Sequence, residues 1–305
     1  MEQTSRKAVI YALIANLGIA IFKIFAALLS RSSSMLAEGY HSISDTLNQV
    51  LLLLGLKRCQ KAACRLHPFG HGKEQFFWSF VVAIILFGIA GTLSIREGLH
   101  RYQHPEPISH VWLTYLAIGV AIVFETFALR IAVQQLKKEI KEEKHKNWIE
   151  GLKNSKDPVI LTVLFEDSLA LLGLFIAGLA ITLVQLTGIL VIDAIASIII
   201  GVLLMVFALF LANETRKLLV GEAVTPYKRR RILNILAEFD EINTVVSLKT
   251  MHLSAEEVLV AVELNYRDEM KSDDIEAVND RIEAKIREII PHSKIYLEPE
   301  SLKDS

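Results

Sequence analysis

Residues 34–56, SMLAEGYHSISDTLNQVLLLLGL, are long and apolar enough to cross a bilayer, yet Glu38, His41, Asp45 and Asn48 interrupt their first half. An ionisable side chain at membrane depth costs about 2.5–3.5 kcal/mol on insertion scales, so such residues are rarely there by accident. His41 and Asp45 stand i, i+4 apart, which stacks them on one helix face. An imidazole and a carboxylate on one face of a buried helix are half of a divalent-metal site. The rest of the chain can be read as supplying the other half.

The composition supports a membrane setting. Hydrophobic residues make up 52% of the 305, and mean hydropathy is +0.39. Six stretches reach the roughly 20 apolar residues a span needs: 8–30, 34–56, 76–98, 110–135, 159–186 and 190–213. A short turn at Thr187-Gly188 separates the last two. The first stretch reads as a span rather than a cleaved leader, because its apolar run exceeds a typical signal core and Lys23 interrupts it. A transmembrane domain over 1–215 is therefore expected, followed by a smaller domain over 216–305.

Lysine and arginine set the expected orientation. Arg6 and Lys7 precede the first span. Lys57, Arg58, Lys61, Arg65 and Lys73 follow the second, and a run from Lys137 to Lys156 follows the fourth. The opposite side carries only Arg31, Arg96 and Arg101. Both termini are expected in the cytoplasm, and the tail domain with them.

The tail reads helix–strand–strand–helix–strand, a small α+β sandwich. Residues 227–239 have helical periodicity, and 245–253 and 257–266 alternate like paired strands. Residues 272–290 open on a Ser-Asp-Asp cap and carry Ile275, Val278, Ile282 and Ile286 on one face. Pro291 ends that helix before a last strand at 294–297.

The fifth span holds a second acid pair, Glu166-Asp167. Depth links it to the second span. Asp45 lies roughly 16 Å below Ser34 at 1.5 Å per residue, leaving roughly 14 Å of a 30 Å core on the cytoplasmic side. Asp167 lies roughly 14 Å in from Pro158, so the two acids are expected at one level near the midplane. Other polar residues read differently. Asn48 is expected to hydrogen-bond a ligand carboxylate or bridge helices, and Glu38 to be an interfacial acid one turn nearer the headgroups than His41. Glu125 and Arg130 are expected to form an intrahelical or snorkelling pair, and Asp193 to be a helix cap or an entrance charge. His145 sits among Lys and Glu and reads as solvent-facing.

Several function classes drop out. A net charge of −1 gives no case for nucleic acid. Two cysteines, Cys59 and Cys64, cannot build a disulfide scaffold. No GxxxxGK[ST] motif is present for a nucleotide-driven pump. No nucleophile–base set suggests an enzyme, and no resident cofactor is expected.

The stretches AEGYHSISDTLNQ, HPFGHGKEQ, DPVILTVLFEDSLALLGL and DAIASIIIGVLL, with a tail ending IYLEP, resemble the cation diffusion facilitator family in order and spacing. The resemblance implies six transmembrane helices and a cytoplasmic ferredoxin-like domain. It also implies a homodimer formed through that domain, and exchange of a divalent metal, most often zinc, for protons. Within it His41 and Asp45 match the second-span ligands, and Asp167 matches the fifth-span acid. Val163 stands where the family usually has His, and Glu166 is the candidate substitute. One nitrogen with up to three carboxylates is a harder donor set than two His and two Asp, which brings manganese, iron or cobalt closer to zinc. His67 and His71 match a second metal position in the loop before the third span, with Cys59 and Cys64 as candidate thiolates. The tail departs from the family. It holds only His252 and His292, with Tyr296 where a ligand His would stand, while Glu298 keeps an acid. Lys73 resembles a family lysine that locks to an acid near the end of the sixth span, here Glu222.

The expected function is metal efflux by proton antiport from a cell membrane. Coordination needs neutral His41 and ionised Asp45 and Asp167, so metal and protons compete for the same atoms, and imidazole titrates near neutrality. The reading from another class is a membrane scaffold or metal sensor of the same fold, which would give no metal flux.

Overall fold

The computed structural model describes residues 2–142 and 158–301. Six long helices come first: α1 (Glu2–Ser30), α2 (Ser33–Cys59), α3 (Glu74–Gln103), α4 (Val111–Glu142), α5 (Pro158–Thr187) and α6 (Val191–Val220). They run 27 to 32 residues. At 1.5 Å per residue that is roughly 40–48 Å, the thickness of a bilayer with its headgroups. Four of them hold stretches apolar enough to span by composition: α3, Val111–Gln134, Leu164–Thr187 and α6. α1 contributes a shorter apolar stretch, Asn16–Ser30. α2 misses that mark because of the polar residues that make it interesting. The helices overrun the apolar stretches of the sequence at Lys57-Arg58 and at Lys217, since a helix continues past the membrane wherever its polar ends tolerate water. The chain is a multi-pass membrane protein.

The chain forms two compact units, residues 1–56 with 77–215, and residues 57–76 with 216–305. In the first, the core is rich in alanine: Ala26, Ala27, Ala37, Ala83, Ala117, Ala121 and Ala177 pack with Met35, Leu86, Leu174 and Ile181. Small side chains let helices approach closely, which matters in lipid, where burial of apolar surface supplies little drive. Ile21, Phe25, Trp112, Phe127, Phe175 and Leu209 are exposed, as a lipid-facing surface requires. Gly188 turns the chain between α5 and α6 at φ 73°, a left-handed conformation that glycine adopts without penalty. α3 carries a π turn at Leu86–Gly91.

In the second unit, α7 (Pro226–Leu236), β1 (Ile242–His252), β2 (Val258–Tyr266), α8 (Ser272–Ile289) and β3 (Ser293–Pro299) follow in the expected order. β1 pairs antiparallel with β2, and β2 pairs parallel with β3. The parallel pair needs a crossover, and α8 is that crossover. β2 is the central strand and alternates buried with partly buried residues along its length. Val260, Val262 and Leu264 meet Val278, Ile282 and Ile286 of α8 and Ile232 and Leu236 of α7 in one core. Thr225 caps α7 by accepting the Lys228 N–H at 3.3 Å, with Pro226 at the first helical position. The cap of α8 falls one residue before the expected Ser272, at Lys271, whose N–H donates to Asp274 at 3.3 Å.

Candidate metal site

The polar residues of α2 converge because they recur every three or four positions. Glu38, His41 with Ser42, Asp45, and Asn48 with Gln49 follow one face. Glu38, His41, Ser42, Ser44 and Asn48 are buried, and the Asp45 side chain is 16% exposed. α5 supplies Glu166, buried, and Asp167, half-buried. Asn48 Nδ2 donates to Glu166 Oε1 at 2.8 Å and so fixes one acid of α5 against α2.

Asp45, Glu166 and Asp167 line one cavity of about 40 Å³. Ser42 and Gln49 of α2, Asn16 and Ile19 of α1 and Glu125 of α4 complete its wall. That volume suits a cation with a little water. His41 lies beside it, with Nδ1 3.3 Å from Asp45 Oδ1. The pair is too poorly aligned to form a hydrogen bond, and both His41 nitrogens are buried without a partner. Asp45 Oδ1, Asp167 Oδ2, Asn48 Oδ1, Ser42 Oγ and Ser44 Oγ are buried and unpartnered as well. In folded proteins roughly nine in ten buried polar atoms find a partner, so this concentration of orphans on two facing helices is a set of donor atoms suited to water or a cation. Three of the four expected ligands, Asp45, Glu166 and Asp167, line one cavity with His41 beside it, and the four do not close into one tight cluster. Asn48 holds Glu166, and the acids repel one another.

What holds α2 in place was hidden in the sequence. Ser32 stands just before the helix, Ser33 and Ser34 begin it, and Asp193 of α6 receives all three. It accepts from Ser32 Oγ at 2.8 Å, from Ser33 N–H at 2.5 Å, from Ser33 Oγ at 2.9 Å, from Ser34 N–H at 3.3 Å, and from Ser34 Oγ. A carboxylate at a helix N-terminus satisfies orphan N–H groups and complements the helix dipole. Asp193 does cap a helix, but the helix is α2 rather than its own. Only Ser-Ser-Ser ahead of the polar span could have hinted at it.

Two expectations fail next to the cavity. Glu38 is not a solvated interfacial acid: it is fully buried and pairs with Lys23 at 3.3 Å. Glu125 does not pair with Arg130, which is exposed. It lies 3.7 Å from Lys23 and faces the cavity. Both errors share a cause. Lys23 looked like an interruption of α1, and a buried ammonium draws carboxylates from other helices.

In the second unit, Cys64, His67 and His71 gather their ligand atoms within 4.8 Å of one another. Cys64 Sγ lies 3.6 Å from His67 Nδ1, and the two imidazole rings are 4.2 Å apart. Reciprocal backbone bonds between Cys64 and His67, at 3.1 and 3.0 Å, form the turn that brings them together. Cys59 does not join this group, because it ends α2 while the turn begins after it. Lys73 Nζ donates to the Leu219 carbonyl at 3.3 Å, in the last turn of α6. His252 is buried, whereas His292, Tyr296 and Glu298 are exposed. His145 lies outside the described residues.

Two family models match this architecture. The cation efflux transmembrane domain covers residues 9–220, and the cation efflux protein cytoplasmic domain covers residues 225–301. The chain belongs to the cation efflux family. Members of this cation diffusion facilitator family are transporters, not enzymes. Metal tolerance protein C4 of Arabidopsis thaliana is 29% identical over 269 residues, which is 88% of this chain and 59% of that protein. The mitochondrial proton-coupled zinc antiporter SLC30A9 of Homo sapiens is 28% identical over 260 residues, 85% of this chain and 46% of that one. The manganese efflux system protein MneP of Bacillus subtilis is 27% identical over 250 residues, 80% of this chain and 78% of that one. The chain thus spans about half the length of the first two relatives.

Proposed function

We propose that this cation efflux family member moves a divalent metal ion across the membrane, zinc foremost, in exchange for protons. One observation carries the reading: the unpartnered buried nitrogens and oxygens of His41, Asp45 and Asp167 around a cavity that Glu166 also lines. His41, Asp45, Asp167 and Glu166 are then the transport ligands. A dry group of carboxylates is costly by itself and favourable around a divalent cation. The same atoms bind protons when the metal leaves, so the two cargoes exclude one another. Asn48 keeps Glu166 turned toward α2. The proton-coupled zinc antiporter among the relatives supports both cargoes.

Manganese is the second reading. The donor set offers one imidazole to three carboxylates, and harder oxygen ligands favour it. A manganese efflux protein is also among the relatives. From the loop lysines and arginines we infer that both termini and the tail face the cytoplasm, across a cell membrane. The tail matches a domain model for family dimerisation, and we assign it to a homodimer. Cys64, His67 and His71 offer a second, softer metal position in the second unit.

The test is metal flux into proteoliposomes with an imposed proton gradient. Zinc uptake should require the gradient and should vanish in Asp45→Ala with Asp167→Ala. Undiminished zinc and manganese flux in that double variant would remove the site.

A further inference from the structure

Lys23 is among the largest fully buried side chains of the molecule. Its ammonium lies 3.3 Å from Glu38 of α2 and 3.7 Å from Glu125 of α4, so one cation ties three helices together. Glu38 is closely held. Gly173 of α5 faces its Oε1, and a Cβ there would collide with that oxygen. Oε1 itself has no hydrogen-bond partner. Glu125 is shared: one of its oxygens lies near Lys23, and the residue also lines the cavity of Asp45, Glu166 and Asp167. On α1, Lys23 lies one turn beyond Ile19, which lines that cavity. On α2, Glu38 lies one to two turns before Ser42 and Asp45. The triad therefore borders the cavity on the side of the α1–α2 turn.

A buried ion pair is weak evidence for stability, because desolvation cancels most of its attraction. Here it also places a fixed positive charge beside a cavity suited to a cation. Lys23 and a bound metal ion would compete for the same carboxylate. We propose that Lys23 is a tethered counter-cation that occupies the Glu125 carboxylate at the cavity wall, and that loading a divalent metal exchanges the Lys23 ammonium for the metal at Glu125. This rests on the transport reading above. Glu125 becomes a further carboxylate of the loaded site, and Lys23 with Glu38 sets how tightly the metal is held.

The experiment is zinc binding by the purified full chain, measured calorimetrically in detergent, together with flux in proteoliposomes. Lys23→Met with Glu38→Gln removes one charge of each sign and frees Glu125. It should tighten zinc binding at least about tenfold and slow turnover, because the metal leaves a deeper well. Adding Glu125→Gln should abolish that gain, whereas a purely structural triad predicts independent effects. Glu125→Gln alone keeps the Lys23–Glu38 pair and the fold, and should weaken zinc binding at least about tenfold. Should the first variant fail to fold, this single variant decides the matter. Wild-type affinity in Glu125→Gln overturns the proposal. A gain in Lys23→Met with Glu38→Gln that survives the loss of Glu125 overturns it equally. Failure of the transport reading looks different: Asp45→Ala with Asp167→Ala would then keep both zinc binding and flux.

Discussion

Asp193→Ala tests whether a single side chain of α6 holds α2, the helix of the proposed ligands His41 and Asp45, in register. Wild-type Asp193 is buried and receives two backbone N–H groups and three hydroxyls from Ser32, Ser33 and Ser34. The hydroxyls can turn toward one another when the acid is gone; Ser32 Oγ and Ser34 Oγ already lie 3.2 Å apart. The Ser33 and Ser34 N–H groups have no such freedom. Each loses a charge-assisted bond worth about 1.5–3 kcal/mol, so the loss should total about 3–5 kcal/mol once non-additivity is allowed for. Asp193→Asn keeps one acceptor oxygen and loses the charge, and should cost about half as much. Ser33→Ala removes one hydroxyl and should cost about 1 kcal/mol. Thermal unfolding in detergent reads the order directly. At about 2–4 °C per kcal/mol, Asp193→Ala should melt roughly 10 °C below wild type. Fraying at the start of α2 also displaces His41 and Asp45, so the KM for zinc should rise while saturating zinc recovers part of the melting temperature. Equal melting of Asp193→Ala and wild type, or a larger effect from Ser33→Ala, would refute the reasoning.

Gly173→Ala puts a methyl against Glu38 Oε1 and should destabilise the transmembrane unit by about 1–3 kcal/mol, seen as a lower melting temperature with the Lys23 pair disturbed. Asn48→Leu removes the hydrogen bond that turns Glu166 toward α2, so the KM for metal in the flux assay should rise more than maximal flux falls. Burial pushes the Tyr266 phenol up to about 12, and its hydroxyl donates to Asn279 at 2.5 Å. The unfolded chain loses that proton near pH 10 and the folded chain does not. The contribution of Tyr266 is therefore complete below pH 10 and is lost as pH rises through 12, and Tyr266→Phe should flatten the fall in alkaline melting curves. Cys64→Ser should weaken cobalt binding by the full chain and remove any thiolate-to-cobalt absorption, with transport through the cavity intact.

The parts of this molecule that could be read from the sequence are those whose cause is local. Apolar runs of membrane length gave six helices, and the 3.6-residue period put His41, Asp45 and Asn48 on one face of α2. Alternation in β2 and the four-residue spacing of Val278, Ile282 and Ile286 anticipated the tail. Two adjacent acids inside the apolar α5 could only be costly or useful, and the structure places both at the cavity that Asp45 lines. The parts that could not be read depend on partners far along the chain. Asp193 meets serines 159 to 161 residues away, and no pattern in α6 points to them. Lys23 looked like a flaw in the first span because hydropathy scores a lysine without asking what it faces. Its partners come from α2 and α4, and its presence changes the reading of both: Glu38 becomes a buried ion-pair partner instead of a solvated interfacial acid, and Glu125 moves from a surface pair to the cavity wall. Hydropathy records what each charge costs in lipid. Only the packed helices record which opposite charge offsets it, and under the transport reading proposed above that same pairing decides which charges a passing cation can claim.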